Sequence, residues 1–295
     1  MSGRHFGVYK ALTRDPLLLQ VFINAFNIAF VNGIPYERWS NFLNVMTLKE
    51  PGNRNVEKLR SLILGEADWN HGGRIHVNRR MLRSAELHHE IPPEHYGGQK
   101  KKKATDAVLD KKLALDNIRL ARRPASITST DEANCYDRML HSVISMSAQR
   151  LGPPLAIILA LLRPLQESKH YIRSAYGDST KCYGGKRDIP YQGTGQGNTS
   201  SSPFWMIISA PLINLMRSKN ICSTFTTAIT LVTFSLVMVM YVDDNDIFVT
   251  SDHVHQVQDI IHRTQDCLTT WKHTLAVTGG VVRPSKCSWV LIDFA

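Results

Sequence analysis

The feature that most constrains how this chain can fold is the run Val237-Met238-Val239-Met240-Tyr241-Val242-Asp243-Asp244-Asn245-Asp246-Ile247-Phe248-Val249, two apolar stretches around a small acidic knot. Such a pattern predicts strand, tight turn, strand, with Asp243 and Asp244 side by side at the tip of a hairpin. Adjacent carboxylates at the end of a buried strand repel each other and lose hydration, a cost that a divalent cation commonly offsets. Two hard oxygen ligands this close suit magnesium. A further aspartate from elsewhere in the chain would complete a two-ion site of the kind that joins a hydroxyl to a nucleoside triphosphate. An isolated Asp-Asp is more often an acidic surface turn, so the choice rests on what else the chain carries.

The composition, 43% apolar and 20% charged over 295 residues, is that of a globular protein with a substantial core or two modest domains. A net charge of +10 calls for an anionic partner, nucleic acid or a membrane surface. Residues 49–123 hold 17 Lys and Arg against 10 Asp and Glu, so most of the excess sits in a quarter of the chain. That segment is the expected phosphate-facing surface, although a solvated basic face explains any single run, such as 100–103, equally well. Five widely spaced cysteines without a Cys-X-X-Cys pair argue against a disulfide framework or a zinc module and point to a reducing compartment. Arg4, Lys10, Arg14 and Asp15 interrupt the first residues, which do not read as a signal peptide. Residues 221–240 carry no charge and match a bilayer in length. Their five Thr, two Ser and many β-branched positions predict buried strands instead.

Along the chain, residues 1–40 hold no assignable motif. A turn signal at 48–53 leads to an apolar stretch at 58–63, and Arg79, Arg80 and Arg83 fall on the polar side of a helical stretch. Helical spacing predicts helices over 105–121, 137–150, 153–164, 204–216 and 254–276. A β-prone segment at 125–130 delivers Asp131, and further strands are expected at 169–176 and 290–292.

Three segments stand in a telling order: Asp131-Glu132-Ala133-Asn134-Cys135-Tyr136-Asp137-Arg138, then Gly193-Thr194-Gly195-Gln196-Gly197-Asn198, then Tyr241-Val242-Asp243-Asp244. Together they resemble the motifs of reverse transcriptases and are most similar to those of eukaryotic retroelements, over roughly residues 48–295. The resemblance implies an α+β fold, the fingers and palm of a right-hand polymerase, with an antiparallel palm sheet backed by helices. It divides the chain into an unassigned segment 1–47, basic fingers 48–124 and a palm 125–295, with no recognisable thumb, RNase H or endonuclease segment. The implied function is RNA-directed DNA synthesis by two magnesium ions, or manganese in their place, on a primed RNA or DNA template with deoxynucleoside triphosphates, and no membrane.

By the same resemblance Asp131, Asp243 and Asp244 are the catalytic metal ligands, joined by the backbone carbonyl of Glu132. Lys49 and Arg60 grip the triphosphate, Gln196 and Gly197 lie under the incoming nucleotide, and Tyr136 gates the sugar. Lys286 protonates the leaving pyrophosphate, with an exposed turn lysine as the plainer explanation. Ser61 replaces a proline common in the family, and Pro203 falls six residues after Gly197 where four are usual. Two other readings remain open: an inactive retroelement remnant that binds nucleic acid, and an RNA-directed RNA polymerase, which usually has Gly-Asp-Asp where this chain has Val-Asp-Asp. Template preference and oligomeric state are not written in the sequence.

Overall fold

The structure, a computed structural model, describes residues 6–53, 55, 58–133, 135–174, 176–221, 223–227, 229–250 and 257–293. In chain order it has α1 (Phe6–Leu12), α2 (Pro16–Asn32), β1 (Asn41–Leu48), β2 (Leu59–Leu64) and α3 (Ala67–Gly73). A π-helical stretch (Arg74–Leu82) runs into α4 (Arg83–Leu87), followed by α5 (Ala104–Leu120), β3 (Ala125–Asp131), α6 (Cys135–Arg138), α7 (His141–Gln149) and α8 (Leu155–Gln166). Then come β4 (Lys169–Ser174), β5 (Gly177–Asp178), β6 (Tyr183–Gly184), α9 (Ser201–Ser218), β7 (Ser223–Thr226), β8 (Thr233–Leu236), β9 (Met238–Tyr241), β10 (Asp244–Thr250), α10 (Val257–Val277) and β11 (Ser288–Ile292). The residues form two compact units, Met1–Ser84 with Met139–Phe204, and Ala85–Arg138 with Trp205–Ala295.

In the first unit, α2 begins where the Asp15 carboxylate accepts hydrogen bonds from the backbone amides of Leu17 (2.9 Å) and Leu18 (3.1 Å), with Pro16 at the first helical position. It stops at Gly33, whose φ of 67° is a glycine conformation. A side chain there would also press on the backbone of Ala156 in α8, at 3.0 Å. The sheet runs β2-β1-β4-β5, with β6 also on β4; β1 is antiparallel to β2 and parallel to β4. Phe30, Trp39, Phe42, Trp69, Ile158 and Leu161 are fully buried in this unit. Each contributes about 1.5–3 kcal/mol by leaving water. Asp68 anchors the corner, accepting from the Trp39 indole (2.9 Å) and from both terminal nitrogens of Arg38.

In the second unit a four-stranded antiparallel sheet runs β11-β3-β10-β9. Residues 94–96 extend it beyond β9, through the Tyr96 amide to the Met240 carbonyl (2.8 Å) and the Met240 amide to the Glu94 carbonyl (2.9 Å). Strand alternation sorts its two faces. Ile127, Val239 and Phe248 form one core with Ala107, Ala114 and Ile118 of α5. The opposite face meets α10, where buried Ile260, Thr264, Cys267, Trp271 and Leu275 recur at helical spacing.

The charge-free stretch 221–240 is β7, β8 and most of β9, and among the described residues no helix is long and apolar enough to cross a membrane. The helix expected over 137–150 is two pieces, α6 and α7. Leu140 between them is extended (φ −72°, ψ 127°), and the Met139 carbonyl accepts from the Gly193 amide at 2.8 Å rather than continuing a helix.

Candidate active site

The register of the second unit's sheet sets Asp244 directly opposite Asp131. Directly opposed residues project from the same face with Cβ atoms about 4.5–5.5 Å apart, so two carboxylates from strands 113 positions apart in sequence become neighbours. Tyr241 pairs with Asp244, which leaves Val242 and Asp243 as a two-residue turn. Val242 has a φ of 61°. A first turn residue in that region is the demand of tight hairpins, ordinarily met by Gly or Asn, and a β-branched side chain there is strained. The surroundings hold it: the Trp205 indole donates to the Val242 carbonyl at 2.7 Å, and Gly97 lies so close that a Cβ on it would sit 2.7 Å from the Val242 amide nitrogen.

Each carboxylate on this face has a different environment. Asp246, one pleat further from the tip, accepts from the Ser129 hydroxyl and pairs with Lys111 of α5, which makes it a structural anchor. Asp131 keeps 28% of its side chain exposed and pairs with the Lys286 ammonium at 3.0 Å. Arg283 fixes that approach by donating its backbone amide to the Asp131 carbonyl at 2.9 Å. Asp244 is exposed, and Asp243 is half-buried on the turn.

Behind the aspartates, on the α10 side, a buried network joins Thr130, Asn245, Glu132 and Trp271. The Thr130 hydroxyl donates to the Asn245 carbonyl oxygen (2.6 Å), while the Asn245 amide and the Trp271 indole (3.3 Å) both donate to Glu132 Oε1. Burial pushes the Glu132 carboxyl up to about 8, with the Asp243 charge adding to the rise and the Asn245 and Trp271 hydrogen bonds opposing it. Burial likewise raises the Cys135 thiol, which keeps it protonated and unreactive. Nothing in a linear reading of Glu132 marks its side chain as the floor of the site; its place directly after Asp131, at the end of β3, is the one local clue.

The other residues singled out from sequence divide between the units. Tyr136 is half-buried in α6, on the turn that leaves β3. In the first unit, Lys49 is exposed just beyond β1 and Arg60 is exposed on β2. The Gln196 carbonyl accepts from the Ile63 amide on the same strand at 2.7 Å. Gly197 (φ 102°) passes so near that a Cβ would lie 2.9 Å from the Ile63 carbonyl. The Gln196-Gly197 loop thus lies against the backbone of Ile63, on the same strand as Arg60 and three residues further along it.

The donor set fits a hard divalent cation: oxygen ligands from opposed strands, with a lysine ammonium already drawn to one of them. Among the described residues, no three His, Cys, Asp or Glu side chains are gathered tightly enough to hold an ion as they stand. A small cavity lined by Asn220, Ile221, Phe248, Val249, Arg263 and Asp266 lies at the far end of β10 from this chemistry.

No protein-family model matches the sequence, and no curated protein matches it. Solved structures do. The chain is similar to telomerase from Candida albicans in complex with a TWJ fragment of telomeric RNA (TM-score 0.57, 13% identity, 86% of this chain and 42% of that one). It is also similar to apo telomerase from Candida tropicalis truncated from its C-terminal domain (TM-score 0.54, 15% identity, 86% and 50%). A third match is Candida tropicalis telomerase with the TWJ fragment (TM-score 0.56, 12% identity, 86% and 41%). The chain spans half or less of the length of these telomerases. Over most of its own length it has the mixed α/β fold, with antiparallel sheets, of these reverse-transcriptase-type polymerases.

Proposed function

We propose that this chain is the catalytic portion of a retroelement reverse transcriptase, an RNA-directed DNA polymerase. The observation that carries the reading is the pairing of Asp131 with Asp244 across β3 and β10, beside a strained Val242-Asp243 turn, in a fold shared with telomerases. Asp131, Asp243 and Asp244 would hold two magnesium ions, with manganese as a substitute and the Glu132 carbonyl as a further ligand. Bound there, the ions supply the charge that activates a primer hydroxyl and neutralises a triphosphate.

The chain's own groups do the rest. Lys286 answers the charge of Asp131 when the carboxylate has no other cation, and once released it stands beside the aspartates as a proton donor for departing pyrophosphate. Arg60 and Lys49 neutralise phosphate oxygens, Arg60 through paired hydrogen bonds. The Gln196-Gly197 loop positions the nucleotide base, and the Tyr136 ring selects deoxyribose by excluding a 2′ hydroxyl. A primed RNA or DNA strand is the macromolecular partner, in keeping with the net charge of +10.

Primer extension on matched RNA and DNA templates, with deoxy- and ribonucleotides supplied separately, tests this. Deoxynucleotide incorporation on RNA is expected, and Asp243→Asn should abolish it while the circular dichroism spectrum stays unchanged. Ribonucleotide incorporation would instead identify an RNA polymerase. Template binding without incorporation of either, in magnesium or manganese, would leave an inactive nucleic-acid-binding remnant.

A further inference from the structure

The first unit carries a ladder of rings that runs across three neighbouring strands and ends at a sheet edge. Phe42 on β1, His170 on β4 and Tyr183 on β6 are paired directly, Phe42 with His170 and His170 with Tyr183. Their rings stack in sequence, with centroids 5.8 Å apart at 30° and then 5.1 Å apart at 18°. The middle ring is pinned at both nitrogens, Nε2 by the Ser168 hydroxyl (2.8 Å) and Nδ1 by the Asn44 side chain (3.3 Å), and its burial favours the neutral form. The Asn44 amide also donates to the Tyr183 hydroxyl. Phe42 is buried, whereas Tyr183 keeps 48% of its surface in water. Among the described residues no strand pairs with the outer side of β6, and the last ring of the stack is half-exposed.

The charge of the surrounding segment is predominantly positive. Residues 169–191 contain five Lys and Arg against two Asp. Two of the cations are already answered: Arg173 by Asp178 through bonds of 2.6 and 2.8 Å, and Lys169 by Glu37 at 3.3 Å. Lys181, Lys186 and Arg187, which flank Tyr183, are exposed and make no ion pair among the described residues. Arg187 instead lies over the Tyr191 ring, 4.9 Å from its centroid. A rigid, half-exposed aromatic ring on a short segment that also carries unanswered cations is the combination that binds an unpaired base together with its flanking phosphates.

We infer that Tyr183 is a stacking platform for one base of a single-stranded nucleic acid, with Lys181, Lys186 and Arg187 taking the adjoining phosphates. Duplex is a poor occupant, because its bases are already stacked on one another and offer no free face. The site goes beyond the polymerase reading and stands whether or not the aspartates catalyse.

The test is fluorescence anisotropy of the full chain with a labelled single-stranded oligoadenylate, as RNA and as DNA, and with a duplex of equal length. No triphosphate or divalent ion is present, so a failure of catalysis leaves the result untouched. Tyr183→Leu should weaken single-strand binding roughly five-fold or more, with duplex binding unchanged, and Tyr183→Phe should restore it. The double variant Lys181→Gln/Arg187→Gln should flatten the salt dependence by about one released counterion or more. Wild-type single-strand affinity in Tyr183→Leu, or an equal loss for duplex, would overturn the platform. If Tyr183→Leu does not fold, an unchanged salt dependence in the double variant would overturn it instead.

Discussion

Val242 shows how one residue can be held against its own preference. A β-branched side chain at φ 61° costs on the order of 1–3 kcal/mol, and glycine removes that cost while adding about 0.5–1 kcal/mol of backbone entropy. Val242→Gly should therefore leave the unfolding free energy unchanged or raise it by about 1 kcal/mol. Val239→Gly, two pleats along the buried part of β9, should lower it by about 3 kcal/mol or more. Urea denaturation of the two variants decides, and equal losses would mean that the turn is relaxed. The Asp-Asp pair and Asp131 were legible from sequence because their types and order are distinctive. The strain at Val242, the Lys286 contact to Asp131 and the buried side chain of Glu132 were not, since each follows from strand register, which no single stretch of residues encodes.

Helices and strands divide the same way. Helix α5 was readable almost to the residue, expected over 105–121 and found at Ala104–Leu120, because its apolar spacing is local information. Helix α2 lies in a stretch without an assignable motif, although Asp15, Pro16 and Gly33 are its start and stop signals. Its apolar residues occur nearly all around the helix, which hides the periodicity. The break between α6 and α7 could not have been read locally. It depends on Gly193 reaching back to Met139, and on His141 Nε2 meeting the Gly193 carbonyl at 2.7 Å, both across more than fifty residues. Helix α10 supports the sheet beneath the aspartates through Trp271, fully buried and bonded to Glu132. Trp271→Ala should cost about 3–5 kcal/mol by cavity formation, measured as a fall in the urea midpoint. A loss under about 1 kcal/mol would show that the sheet stands without this contact.

At the scale of the whole molecule, both units share a sensitivity to acid. His95 in one is depressed to about 3 by burial and by Lys102, and His76 in the other to about 4 by burial and by Arg80. In the unfolded chain each ring takes up a proton near pH 6.5 while the folded ring does not, so the stability they confer is full above 6.5 and lost as pH falls towards 4. Each contributes a slope of about 1.4 kcal/mol per pH unit in that window. Burial also holds His141 and His170 towards the neutral form, while the raised Glu132 carboxyl acts in the opposite sense. The urea midpoint should therefore drop between pH 7 and pH 5 by less than the rings alone would give, and a flat profile would mean that the buried rings titrate in the fold much as they do in the unfolded chain.

The two-unit division also bears on synthesis. Each unit is assembled from two separated stretches, and the first is incomplete until residue 204 has been made. At ordinary translation rates that is roughly 6–24 s after residue 84. For much of that interval, until residues 155–166 have been made, α2 and the turn at Glu37–Ser40 that holds Trp39 lack α8, the helix that packs against them in the finished unit. A nascent chain in this condition is a client for chaperones, and a premature stop anywhere before residue 204 yields neither unit whole.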